Sequence, residues 1–257
     1  SCHTATTIPV YHSAEAPTAN NSVVTAGVST ISYDIKSVTV NSSGAAVITF
    51  KITQDGAPVT SFASYESVKK QLIPGFNSGP SFYVSYAVPQ DGIATPADFN
   101  TYSSVSLAAL VAGTSPTTTG GTLTGPDASG YWIATLSGSS IKIPTTGVNK
   151  ASMVTGSMIG NFTQVDFNAV KTVGLIDMTT DLGKKWNSEP WLNGSTGGRS
   201  PGPGLYIKTP LKMRVATGFT PRRVVVDNNK CESCHEQLGA AVEFHSGARN
   251  DATSCAI

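Results

Sequence analysis

None of the four cysteines and four histidines of this 257-residue chain lies between residues 13 and 230. The long middle must therefore fold without a disulfide or a thiolate- or imidazole-bound metal, and it is long enough to bury an apolar core of its own. The chemistry is confined to the ends, and the middle reads as scaffold.

The most specific of the end features is Lys230-Cys231-Glu232-Ser233-Cys234-His235. Cys-x-x-Cys-His is the attachment signature of a c-type haem. Two thiols at this spacing form thioethers with the two vinyl groups of the porphyrin. The histidine next in sequence is then held under the iron as an axial ligand. Two other readings use the same residues. Cys231, Cys234, His235 and His245 can be read as a zinc site. The Cys-x-x-Cys alone can be read as a redox pair, although no βαβ pattern surrounds it.

The termini are read through the same motif. Ser1-Cys2-His3 matches the end of a Cys-x-x-Cys-His, and Cys255-Ala256-Ile257 matches a beginning. The expectation is a segment between haem sites, with Cys2 and His3 on an upstream haem and Cys255 on a downstream one. A disulfide between Cys2 and Cys255, a lipidated Cys2, or free thiols are the alternatives. His12 and His245 are the candidates for second axial ligands. Arg249, with Arg222 and Arg223, is a candidate partner for haem propionates through bidentate contacts; a solvated surface charge is the alternative for each.

Composition narrows the setting. Charged residues make up 13% of the chain and the net charge is +1. The charged share is about half the usual one, so nothing marks nucleic acid or anionic lipid as a partner. No apolar run reaches membrane-spanning length and no signal peptide is visible. Because haem is joined to thiols outside the bacterial cytoplasmic membrane, the expected setting is that of an exported protein.

In the middle, residues 13–21 read as a linker. Ile31, Tyr33 and Ile35 alternate with polar residues, and Val38 and Val40 continue the run. With the turn at Asn41–Gly44 and the strand Val47–Ile52, this predicts a hairpin. Phe82, Val84, Tyr86 and Val88 predict a strand between Pro80 and Pro89. Residues 91–104 read as loop, with one helical turn at Pro96–Phe99. Val105–Val111 reads as strand or short helix, Thr114–Gly121 as a turn cluster, Gly130–Leu136 and Met153–Ile159 as strands. Phe162–Met178 is left unassigned. Trp186–Gly204 reads as a mobile or ligand-lining loop, with Trp186 and Trp191 as core plugs in the alternative. Leu205–Val215 reads as one long strand. Short strands with regular turn signals predict an all-β barrel or sandwich. There is no internal repeat, no phosphate-binding glycine loop and no carboxylate pair suited to acid/base work.

Pro221–Asp227, the Cys231–His235 motif, Phe244–Asp251 and Cys255 together resemble the extracellular decahaem cytochromes of metal-reducing bacteria, the OmcA/MtrC type. The clear match covers only about the last 40 residues. The resemblance implies a Greek-key split β-barrel at 20–228, the end of a preceding haem segment at 1–19, and the start of a following haem module at 229–257. It implies electron transfer at the outer-membrane surface to metal oxides, flavins or partner cytochromes, with other haem modules of the same chain as neighbours. One complete motif departs from ten haems, so other segments would have to complete a conducting chain. Such a protein moves electrons and needs no substrate pocket. Two other functions stand beside it: a β domain that docks a non-covalent flavin or a partner cytochrome, and a surface adhesin or spacer with a zinc-clasped tail.

Overall fold

The computed structural model describes residues 29–63, 71–113, 120–138, 141–164, 205–207, 209–224, 227 and 229–230. Among these the fold is all-β, built from antiparallel sheets, with the short helix α1 (Leu107–Ala112) at one edge.

The first sheet starts with the expected hairpin. Strand β1 (Ile31–Val40) pairs with β2 (Ala46–Gln54) through a turn organised by Asn41. The Asn41 side-chain oxygen accepts from the backbone N–H of Ser43 (3.0 Å) and of Ala45 (2.9 Å) and from the Ser43 hydroxyl (2.7 Å), which closes the turn without help from the sheet. Sheet order continues through β9 (Trp132–Leu136) to β8 (Gly121–Thr124), with the short β3 (Ala57–Pro58) beside the end of β2. Buried residues fall at odd positions up to Ile35 and at Val38 afterwards. That change of phase requires one extra residue, and the register shifts between Ile35 and Ser37. A bulge of this kind keeps both halves of the strand facing the core.

The second sheet has the order β13 (Lys212–Val215), β10 (Met153–Ile159), β6 (Ser81–Ala87), β7 (Thr101–Ser106). A smaller sheet has the order β12 (Leu205–Ile207), β11 (Phe162–Gln164), β5 (Phe76–Ser78), β4 (Gln71–Ile73). These two sheets are one ribbon folded over a corner. β5 runs into β6, β10 into β11 and β12 into β13, and the partners are kept across the bend. The corner falls at Gly79-Pro80, Gly160-Asn161 and Thr209–Leu211. Gly160 has φ +127, and a Cβ there would stand 3.1 Å from the Gly79 carbonyl oxygen. Only glycine turns the chain at that point.

The core lies between the first two sheets. Ile31, Tyr33, Ile35, Val38, Ile48, Phe50 and Ile52 face Phe82, Val84, Val154 and Met158, and Phe50 meets Phe82 edge to face at 4.7 Å between centroids. The sandwich is closed along one edge by β1 and the strand β13. There the Thr217 N–H donates to the Val38 carbonyl (2.9 Å), and Arg214 donates through Nη1 to the Ile35 carbonyl at the bulge (3.2 Å). On the other edge α1 lies against β7 and β8. Ser106 caps its start by accepting from the Ala109 N–H, and Gly113 ends it in the left-handed conformation.

Several sequence expectations are corrected here. The loop expected at 91–104 ends at Asn100, because β7 begins at Thr101 and pairs with β6. Pro96–Phe99 forms bends and no helical turn. Val105–Val111 is both things: strand through Ser106, then helix, with the Ser106 cap marking the switch. Of the turn cluster expected at Thr114–Gly121, residues 114–119 lie outside the described residues, and Gly121 is the first residue of β8. Leu205–Val215 is two strands in two sheets, interrupted at the corner where Pro210 has no N–H to offer a ladder. Phe162–Gln164, left unassigned, is a strand.

Candidate functional site

The cofactor-binding candidates Cys2, Cys231, Cys234, Cys255 and Arg249 and the metal-ligand candidates His3, His12, His235 and His245 lie outside the described residues. So do Trp186 and Trp191. The described residues include no cysteine and no histidine, and among them no group of three or more acidic side chains could hold a metal ion. The described part of the site is therefore the route by which the chain leaves the sandwich toward Cys231.

That route begins where β13 ends. The Ala216 N–H donates to the Val154 carbonyl (2.9 Å) and the Thr220 N–H to the Ser152 carbonyl (3.1 Å). Beyond Thr220 the chain has no ladder partner among the described residues, and side chains take over. Arg222 donates through Nε to Asp98 Oδ1 (3.0 Å), with Nη2 2.9 Å from the same oxygen. Arg223 donates through Nη2 to Asp98 Oδ2 (2.8 Å). One carboxylate thus holds two consecutive guanidiniums. Arg222 is the more enclosed, its side chain 14% exposed against 61% for Arg223. The two arginines considered for haem propionates are committed to Asp98 in this structure.

Asp98 is held on a loop with a closed base. Asn100 copies a strand pair at that base: the Val88 N–H donates to Asn100 Oδ1 (3.0 Å), and Asn100 Nδ2 donates to the Val88 carbonyl (2.8 Å). Gln90 and Ile93 form a further bridge across the loop. The hydrogen bond from Arg223, then the two positive charges, hold the Asp98 carboxyl below its ordinary range, against the opposing effect of partial burial. Asp98 in turn raises the Arg223 guanidinium further.

Four residues after Arg223, Asp227 starts the next local structure. Its carboxylate accepts from the Asn229 N–H (3.0 Å) and its carbonyl from the Lys230 N–H (3.1 Å). Asn229 and Lys230 are helical. An aspartate satisfying the free N–H groups of a first turn is an N-cap. The first cysteine of the motif follows directly in sequence.

A second polar cluster lies on the outer face of the first sheet. Lys36 Nζ and Lys51 Nζ stand 4.8 and 4.5 Å from the centroid of the Tyr131 ring, and the Tyr131 hydroxyl donates to Asp34 Oδ2 (2.7 Å). Asp127, at the β8–β9 turn, accepts from the N–H groups of Ser129 (2.8 Å) and Tyr131 (2.9 Å). These contacts hold a turn and a sheet surface. Trp132 also has a structural part: it donates through Nε1 to the Val59 carbonyl (2.9 Å) and packs on Phe62 at 4.8 Å.

Asp98 and the capping role of Asp227 escaped the sequence reading. The available signal was the dipeptide Arg222-Arg223 just past the last strand; its partner lies 124 residues from Arg222 in sequence, beyond the reach of any local pattern.

Among the described residues, fold and site together define an all-β sandwich whose last strand, β13, leads past Asp98 to the turn that Asp227 caps. No family model and no curated protein matches the chain. Among solved structures it is similar to MtrC from Shewanella baltica OS185, with 12% identity and a TM-score of 0.41, over 88% of this chain and 28% of that one. A likeness at that level is distant, and the functional reading rests on the residues. No described helix is long and apolar enough to cross a membrane.

Proposed function

We propose that the chain is a β domain of a surface-exposed multihaem c-type cytochrome that transfers electrons in extracellular respiration. The observation that carries this reading is Cys231-x-x-Cys234-His235, one residue after the helical pair that Asp227 caps. The donor set fits covalent haem: two thiols for the thioether bonds and an imidazole for the iron. Cys231 and Cys234 would hold the porphyrin, and His235 and His245 would ligate the iron. Bound haem supplies one-electron exchange.

On this reading residues 20–228 are the β domain, 1–19 close a preceding haem segment with Cys2, His3 and His12, and 229–257 open a following one that includes Arg249 and Cys255. The domain spaces and orients haem segments, and it needs no substrate pocket. Metal oxides, flavins or other cytochromes are the acceptors this implies, at the outer-membrane surface.

The test is export of the full chain together with haem-attachment machinery, followed by intact mass, metal analysis and a reduced-minus-oxidised spectrum. A covalent haem mass with a low-spin c-type spectrum is expected, lost from Cys231→Ala/Cys234→Ala and altered in ligation by His235→Ala. Zinc without iron, or an apo mass with no such spectrum, overturns the reading.

A further inference from the structure

We propose that Asp98 is a positioning residue for the tail that carries the Cys231–His235 motif: by holding Arg222 and Arg223 together, it fixes the point and direction at which that tail leaves the β domain. The inference rests on the haem reading for its purpose and on the geometry of the two arginines for its mechanism.

Consecutive side chains of an extended chain point to opposite sides. Arg222 and Arg223 nevertheless reach the same carboxylate: Arg222 holds Oδ1 (Nη2 at 2.9 Å), and Arg223 spans both oxygens, with Nη2 2.8 Å from Oδ2 and Nε 3.5 Å from Oδ1. The chain must therefore run past Asp98 with that carboxylate at its edge, and its direction there is set. One arginine on one aspartate would leave the backbone free to swivel about the contact. Two adjacent ones remove that freedom.

The link this leaves is short. The last ladder-type backbone bond among the described residues is that of Thr220. Without Asp98, residues 221–224 keep no hydrogen bond to the sheets among the described residues. With it, only residues 224–226 separate the held arginines from the capped turn, and the motif starts four residues after Asp227. Val224 is 80% exposed, so packing of that side chain does not fix the path. The Asn100–Val88 pair that closes the loop base makes Asp98 a fixed post on the second sheet.

A surface ion pair contributes little to folding, so the arrangement fits a part in orientation better than one in stability. Arginine suits it because a planar fork binds a carboxylate in a defined direction, which a lysine does not.

The experiment is limited digestion with trypsin of the full chain, produced with its haem-attachment machinery, as wild type, Asp98→Asn and Asp98→Glu. Cleavage after Arg222 and Arg223 is followed by mass. Thermal unfolding of each variant is measured alongside. Asp98→Asn is expected to be cut at these two sites about tenfold faster than wild type, since cleavage tracks the population of the released form. Thermal unfolding should stay cooperative, with only a small fall in its midpoint, and Asp98→Glu should restore slow cleavage. Equal rates for Asp98→Asn and wild type overturn the proposal. So does faster cleavage accompanied by loss of the cooperative transition, because Asp98 would then act on the fold itself. The two readings are separated by Cys231→Ala/Cys234→Ala: it carries no haem, yet Asp98→Asn on that background should show the same acceleration. Haem mass on the released fragment reports independently on the cytochrome reading.

Discussion

The Tyr33 hydroxyl donates to the Gly160 carbonyl at 2.8 Å, fastening the first sheet to the corner at which the second ribbon bends. Asn161 completes the corner by accepting from the Thr209 N–H at 3.1 Å. Tyr33→Phe keeps the ring in the core and removes the donor, leaving the Gly160 carbonyl to find another partner. The expected loss is about 1–2 kcal/mol of unfolding free energy, measured by urea titration at pH 7.

The same phenol predicts an alkaline limb. Burial pushes Tyr33 well above the ordinary tyrosine range, although a hydrogen bond with Thr209 opposes this. In the unfolded chain it ionises near the ordinary value of about 10. The folded state then holds a proton that the unfolded state releases, so stability is fully present below about pH 10 and falls as pH rises beyond it. Tyr86, also raised by burial, adds to the slope. Tyr33→Phe should be less stable than wild type at pH 8 and should lose less stability between pH 8 and pH 11. An unchanged slope would show that the phenol ionises freely in the fold.

Phe50 and Phe82 join the two main sheets, and both are fully buried. Either residue changed to Ala opens a cavity between sheets that cannot collapse on one side alone, with an expected cost of about 3–5 kcal/mol. The edge-to-face contact should appear as a coupling of about 0.5–1.5 kcal/mol in the double-mutant cycle. Thermal or urea unfolding of the four proteins measures it.

How far the fold could be read from sequence depends on strand length. The β1–β2 hairpin was legible because ten- and nine-residue strands show their alternation. Even the bulge left a mark, in the step from Ile35 to Val38. The three-residue strands Gln71–Ile73, Phe76–Ser78 and Phe162–Gln164 carry too few positions to show a period. Leu205–Val215 read as one strand because both halves lie along the same ribbon; the corner comes from pairing with β10 and β11 on either side of Gly160-Asn161, which is a tertiary matter. At the site, the Cys/His motif was legible because its chemistry is local in sequence. Asp98 was not, because nothing around it announces an arginine partner that arrives after the last strand.

Gly156 sits mid-strand in β10, where a Cβ would stand 3.0 Å from Val38 Cγ2 and 3.1 Å from Ile48 Cδ1. Glycine here lets the two sheets approach. Gly156→Ala needs those methyl groups to give by a few tenths of an ångström, whereas Gly156→Val forces the sheets apart. The larger change should cost about 1–3 kcal/mol by overpacking, and the alanine variant clearly less. A Gly156→Val protein as stable as wild type would mean that the sheets do not meet at this strand.

The acid limb should be set in part by Asp127. Its carboxylate is bonded by the N–H groups of Tyr131 and Ser129, with Lys36 and Lys51 close by, and these hold the carboxyl below its ordinary range although partial desolvation opposes them. The unfolded chain takes up that proton near pH 4, while the folded chain resists until the pH is lower. The stabilisation is therefore present above the ordinary carboxylate range and is lost as pH falls through the lowered value. Asp98 behaves in the same sense. Asp127→Asn keeps an oxygen that can accept from both N–H groups and removes the titration. Its stability at pH 7 should lie slightly below that of wild type, and the gap should narrow by pH 3, since only wild type loses an ionised turn. Urea titrations at the two pH values decide it: a gap that stays constant would show that the N–H groups do not favour the charged carboxylate, and that the turn is held by geometry alone.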